Sequence, residues 1–224
     1  MYSAKGRALR SFHARRGQVL IDLDPQGRAD LAVVRETRAA THLLMQDASA
    51  LTILTWSRSA LRLDGDLAEA GVFMGGSARL ICEAKGQASL HLFDVFDTLQ
   101  CGGPPLGAAE QAVRDHFGAF HATLKRVQAL LSLYPHVHFH PGLFPASAGE
   151  VTDRRFCFVH LDLDLGQATA DALEFFYPRL LTGGVLIGDD YNLAPVQEAF
   201  KAYFAGRRDA VTPLPWGQVI VVKA

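Results

Sequence analysis

Phe156-Cys157-Phe158-Val159-His160-Leu161, running into Asp162-Leu163-Asp164-Leu165, is the stretch on which the fold turns. A half-solvated strand alternates apolar and polar residues, and this one does not. It reads as a strand buried on both faces, as in a parallel sheet covered by helices on either side. Leu67-Ala68-Glu69-Ala70, Leu90-His91-Leu92-Phe93, Val137-His138-Phe139 and Val185-Leu186-Ile187 are further short runs of the same kind. Residues 77–86, 107–133, 167–180 and 194–205, which lie between or after them, each suit a helix. The end of the chain breaks the alternation. Ala210-Val211-Thr212 and Gln218-Val219-Ile220-Val221-Val222 read as two strands joined through Pro213-Leu214-Pro215-Trp216-Gly217 with no helix between them. The expectation is an α/β, Rossmann-like fold: a mostly parallel seven-stranded sheet with an antiparallel last strand.

Residues 1–60 read as an N-terminal cap or arm, and 61–224 as the core. Asp24-Pro25-Gln26-Gly27 has the signature of a type I turn, so the apolar stretches on either side predict a short hairpin. Leu44, Met45, Ala48, Leu51 and Leu54 then recur at helical spacing. Lys5, Arg7, Arg10, Arg15 and Arg16 precede the first acid, Asp22. With no apolar signal region after them they read as a solvated basic start to the fold. The 224 residues carry 22 basic and 23 acidic side chains, and 49% are hydrophobic. That composition supports a sizeable core and lacks the basic excess of a nucleic-acid binder. No run approaches the roughly 20 apolar residues of a membrane span. Three scattered cysteines make neither a disulfide framework nor a zinc pattern, which points to a reducing, cytoplasmic setting. An extended N-terminal arm is compatible with a homodimer.

Glu69-Ala70-Gly71-Val72-Phe73-Met74-Gly75-Gly76-Ser77 joins the first core strand to its helix. Glycines here let the backbone turn tightly and approach a ligand at a helix N-terminus. Three residues separate Gly71 from Gly75, which is not the dinucleotide spacing, and no Gly-Lys-Ser/Thr makes it a phosphate loop. Glu69 at the strand end suits an ammonium group, and Asp94, 25 positions on, stands where ribose hydroxyls are commonly bound. A ligand with an ammonium and a ribose but no phosphate is S-adenosylmethionine; a surface loop with solvated acids is the plainer alternative. Two further strand ends carry Asp162 and Asp164, and Asp189 and Asp190. Four carboxylates around one cavity repel unless a cation sits among them, and hard oxygen donors suit Mg²⁺. Helix capping is the competing explanation, although it accounts for one acid per helix and not for four.

Five segments in order resemble the macrocin O-methyltransferase family. They are Glu69-x-Gly71-Val72-Phe73-x-Gly75-Gly76-Ser77-Ala78-Arg79, Leu92-Phe93-Asp94-x-Phe96-Asp97, His160-Leu161-Asp162-x-Asp164-Leu165, Ala172–Leu180 and Gly183-Gly184-Val185-x-Ile187-x-Asp189-Asp190-Tyr191. The likeness runs from about Leu63 to Phe204 and implies a class I, S-adenosylmethionine-dependent and Mg²⁺-dependent O-methyltransferase. It implies Asp162, Asp189 and Asp190 as metal ligands and Asp164 as general base. It implies Glu69, Gly71, Phe73 and Ser77 on the methionine side of the cofactor, with Gly75 and Gly76 in the same loop. Asp94 would take the ribose, and Gly142-Leu143-Phe144 would lie near the adenine. One departure is plain: the family continues after Asp164-Leu165 with Tyr-Glu-Ser, whereas this chain has Gly166-Gln167-Ala168. An aromatic wall or hydroxyl is therefore missing, and the substrate preference does not transfer.

The expected reaction is methyl transfer to a hydroxyl of a small molecule such as a natural product, a sugar or a catechol-like ring. Asp162 and Asp164 are its catalytic pair, Tyr191 a substrate contact, and the glycine-rich loop 101–107 a lid. Two rivals stay open: a nicotinamide oxidoreductase, and a non-catalytic S-adenosylmethionine-binding partner. His136, His138 and His140 share a strand face, which reads as a polar sheet edge more readily than as a metal site. His160 reads as a hydrogen-bonded core histidine, Cys157 as a small buried hydrophobe, and Phe175-Phe176-Tyr177 as helix packing.

Overall fold

The computed structural model describes residues 4–16, 18–96 and 123–224. Its elements run α1 (Ala4–Ala14), α2 (Pro25–Ala40), α3 (Asp47–Ala60), β1 (Asp66–Ala70), α4 (Gly76–Lys85), β2 (Leu90–Asp94), α5 (Thr123–Leu130) and β3 (Val137–Pro141). A 3₁₀ turn (Ala146–Val151) leads to β4 (Phe156–Leu161), α6 (Gly166–Arg179), β5 (Leu180–Gly188), α7 (Ala194–Phe204), β6 (Ala210–Pro213) and β7 (Val219–Val222). The expected lid at 101–107, Asp97, Cys101 and most of the predicted helix 107–133 lie outside the described residues.

The strands form one sheet in the order β3-β2-β1-β4-β5-β7-β6, with β7 antiparallel to both of its neighbours and the remaining pairs parallel. Every residue of β4 is buried, as its unbroken apolar run requires. Alternate residues of the central strands feed two cores. Leu67, Leu92, Phe158 and Ile187 meet α2, α3, α4 and α5, while Ala68, Phe93, Val159 and Leu186 meet α6 and α7. The order reverses between β1 and β4, so the loops leaving those two strands diverge and open a crevice at their carboxyl ends.

The predicted hairpin is replaced by helices. Asp24 caps α2, its carboxylate accepting from the Gly27 N–H at 2.6 Å, and Pro25 sits in the first turn, where the missing N–H costs nothing. Leu31-Ala32-Val33-Val34 is therefore helical, with Val34 fully buried, and Val19 and Ile21 project into solvent from an unpaired extended stretch. Asp30 on α2 receives both guanidinium nitrogens of Arg58 on α3, at 3.1 and 2.9 Å, which ties the two helices together. Among the described residues no helix is long and apolar enough to cross a membrane.

Candidate active site

A cavity of about 760 Å³ opens at the carboxyl ends of the strands. Of the five non-glycine residues with positive φ among those described, four line it: Phe73, Phe96, Asp164 and Asp190. Such backbone costs about 1–3 kcal/mol each and persists where the surroundings over-determine it, as at ligand sites.

The glycine loop forms one wall. Gly71 has φ +86°, and a Cβ there would fall 1.7 Å from the Asp162 carbonyl oxygen, so the loop and the end of β4 touch backbone to backbone. Gly76 and Ser77 line the cavity, whereas Gly75 does not; a Cβ on it would meet Val127 and Leu130 of α5, and its φ of +78° turns the chain into α4. Asp94 is engaged in building this loop. One carboxylate oxygen accepts from the Val72 and Phe73 N–H groups at 2.7 and 2.8 Å, and the other accepts from Phe96 N–H at 2.8 Å. A carboxylate has about four lone-pair sites, so room remains for a hydroxyl. Gly142, Leu143 and Phe144 complete this end at the β3 edge of the sheet.

Glu69 does not line the cavity. It is fully buried below the loop, where one oxygen meets His160 Nδ1 at 2.7 Å. His160 Nε2 meets Asp189 at 3.1 Å. Burial opposes charge on this imidazole, but the Asp189 and Glu69 carboxylates outweigh it and hold its pKa well above the usual histidine value. His160 is thus a core histidine, and one that bridges the glycine-loop strand to the second aspartate pair.

The aspartates converge as their strand positions require. Asp162 N–H donates to Ala70 O and Asp189 N–H to Leu161 O, both at 2.8 Å, so the ends of β1, β4 and β5 are stitched in a row. Side-chain ligand atoms of Asp162, Asp164 and Asp190 lie within 4.8 Å of one another, as do those of His160, Asp162 and Asp189. Asp162 is common to both groups. Burial and the neighbouring Asp189 raise the Asp162 carboxyl far above its ordinary value, and burial with the Asp190 hydrogen bond pushes Asp164 to about 8. Oxygen donors crowded this closely are the donor set a hard dication takes, and its charge would relieve their repulsion, so the residues fit Mg²⁺. The strand histidines make no comparable group: His140 Nε2 pairs with His91 Nδ1 at 3.0 Å, away from the cavity.

Tyr191 corrects the reading of a substrate contact. The left-handed turn at Asp190 sends the next side chain inward, where Tyr191 is 8% exposed and packs edge-on against Phe200 of α7. The cavity is instead lined there by Asn192 and by Pro215-Trp216-Gly217 of the β6–β7 loop. His42–Gln46 and Ser49, ahead of and within α3, supply the facing wall. None of these belongs to a local motif, and the departure at Gly166 has a packing reason. A Cβ at Gly166 would lie 2.8 Å from the Pro195 Cβ, so α7 occupies the space a larger residue would need.

A family model described as macrocin-O-methyltransferase (TylF) matches residues 54–218. The chain belongs to this family. It is 34% identical over 152 residues to an 8-demethyl-8-(2,3-dimethoxy-alpha-L-rhamnosyl)-tetracenomycin-C 4'-O-methyltransferase of Streptomyces olivaceus, covering 62% of this chain and 58% of that protein. It is 32% identical over 161 residues to the mycinamicin III 3''-O-methyltransferase of Micromonospora griseorubida, covering 65% and 63%. The chain thus spans about three-fifths of the length of the curated relatives it matches. Among solved structures, that of the O-methyltransferase NovP superposes with a TM-score of 0.73 at 20% identity, covering 89% of this chain and 98% of that one. That likeness is one of fold: the sheet described above is shared with a solved O-methyltransferase.

Proposed function

We propose that this protein transfers a methyl group from S-adenosylmethionine to a hydroxyl of a natural-product sugar, with Mg²⁺ among its aspartates. The observation that carries the reading is that one cavity joins a glycine loop braced by Asp94 to a cluster of four aspartates. Both relatives named above are O-methyltransferases by their names, and one name carries a rhamnosyl group, which favours sugars among the hydroxylated small molecules the cluster suits.

In this reading the loop 71–77, Asp94 and Gly142–Phe144 hold the cofactor along β1 to β3. Asp162, Asp189 and Asp190 would hold the cation, whose charge, when bound, lowers the pKa of a nearby hydroxyl. Asp164, on the same rim, takes the hydroxyl proton on a carboxylate oxygen. The freed oxygen pair bonds to the methyl carbon as the carbon–sulfur pair returns to sulfur, giving the methyl ether and S-adenosylhomocysteine. Holding oxygen, carbon and sulfur in line supplies much of the rate, about 7–11 kcal/mol in well-oriented systems. His160 keeps the Asp189 carboxylate in place from below.

The test is calorimetric titration with S-adenosylhomocysteine in Mg²⁺ buffer, followed by turnover of Asp189→Ala. Micromolar binding is expected, with lost turnover and near-normal cofactor affinity in the variant. Absence of both heat and thermal stabilisation would refute the cofactor, and titration with a nicotinamide dinucleotide would then decide for an oxidoreductase. Unchanged turnover in Asp189→Ala would refute the role of the metal.

A further inference from the structure

We propose that Trp216, in the β6–β7 loop, is the platform on which the acceptor ring lies and a determinant of acceptor choice. The inference rests on the methyltransferase reading for the identity of the second ligand, but its evidence is separate. The sheet order places the two ends of the cavity. Gly142–Phe144 follow β3 at one edge, while Trp216 precedes β7, beyond β5 on the other side of the aspartates. Continued past Gly188–Val219, the antiparallel register brings Gln218 alongside Asp189, Gly217 alongside Asp190 and Trp216 alongside Tyr191. Gly217 O accepts from Tyr191 N–H at 2.8 Å, so the loop is fastened directly to the backbone after Asp190. A ligand portion held beside the aspartates and away from the adenosine end therefore meets Trp216.

The indole is held in place. Its Nε1–H donates to the Gln218 side-chain oxygen at 3.0 Å, and the amide nitrogen of Gln218, a residue only 1% exposed, donates to Ser49 O on α3 at 3.5 Å. Leu214 N–H closes the loop on Gln218 O at 2.7 Å. With Nε1 spent internally, the ring offers the cavity its apolar surface. An indole face is electron-rich and attracts the polarised C–H bonds along one side of a pyranose. The start of α6 brings no aromatic side chain to the cavity, since Gly166 is packed on Pro195 and Ala168 lines the wall. Trp216 supplies an aromatic surface from a different loop.

Trp56 and Trp216 are the only tryptophans in the sequence, so Trp56→Phe leaves Trp216 as the single emitter. The experiment titrates that protein, saturated with S-adenosylhomocysteine and Mg²⁺, with methyl α-L-rhamnopyranoside and separately with catechol. The expected result is a saturable change in Trp216 emission with the pyranoside. In the otherwise wild-type chain, Trp216→Ala should weaken pyranoside binding at least tenfold by ligand-observed NMR, with unchanged S-adenosylhomocysteine affinity. Trp216→Phe should recover most of the loss. Emission that no pyranoside concentration moves overturns the proposal, as does undiminished pyranoside binding in Trp216→Ala or a response to catechol alone. Loss of cofactor affinity in Trp216→Ala would make the residue structural and also overturn it. Failure of the parent protein to bind S-adenosylhomocysteine refutes the underlying methyltransferase reading instead.

Discussion

Replacing Gly71 by alanine probes the contact between the glycine loop and β4. Two costs combine. A residue with a Cβ at φ +86° pays about 1–2 kcal/mol for the left-handed backbone. The new Cβ would also sit 1.7 Å from the Asp162 oxygen, more than an ångström inside the 3.0 Å that real Cβ atoms keep. The obstacle is backbone, which has no rotamer to change, and Asp162 N–H is itself bonded to Ala70 O, so neither strand end yields alone. Overpacking of this kind costs about 1–3 kcal/mol more. A total of about 2–5 kcal/mol corresponds to a melting point lower by about 10 °C in a chain of this size. Gly206→Ala is the control: its φ is +76°, yet nothing lies within 4 Å of the added carbon. It should lose only the backbone part, about 1–2 kcal/mol. Differential scanning fluorimetry of the two variants separates the terms. Equal shifts would show that the close approach of Gly71 to Asp162 is absent, and the loop would no longer be a wall of the aspartate site.

Asp94→Asn leaves one acceptor for three backbone donors and turns an amide group toward the others, so stability should fall by about 2 kcal/mol or more and S-adenosylhomocysteine affinity by about tenfold, read by calorimetry. Burial alone would raise the Asp30 carboxyl, but the Arg58 guanidinium and the Gln26 amide hold it below its ordinary value. Its stabilising share is therefore complete above the unfolded pKa of about 4 and vanishes as pH falls through the lower folded value. The melting-point gap between wild type and Asp30→Asn, about 1 kcal/mol given the partial exposure of Arg58, should close on acidification; a gap independent of pH would refute the assignment. Burial pushes the Cys82 and Cys157 thiols to about 12 and about 11, so iodoacetamide at mildly alkaline pH should leave both unmodified by mass spectrometry until the protein unfolds.

The sheet was legible because β4 and its neighbours are buried on both faces, a condition that writes itself into unbroken apolar runs. The aspartates were legible for a related reason: acids directly after such runs must emerge at one rim. The first forty residues were not. Asp-Pro-x-Gly opens a helix as readily as a turn, and the choice at Asp24 falls to whether Val34 finds a core to enter, which local pattern does not record. The place of Tyr191 is not legible either, because adjacency in sequence ignores the left-handed turn at Asp190. Trp216 and His42–Gln46 carry no local signal because they reach the cavity through sheet order and through α3 packing, both of which are long-range.

His160 constrains where chimaeras of this chain can be joined. Its two ring nitrogens serve a carboxylate on β1 and one directly after β5 while it stands on β4 itself. Three strands, drawn from positions 69, 160 and 189, therefore share one buried hub. Recombining segments between this chain and a relative is expected to succeed with crossovers in the α2–α3 connection or beyond α7. A crossover between β1 and β5 that exchanges one of these partners without the others strands a buried charge. These three strands travel as a single inheritable block.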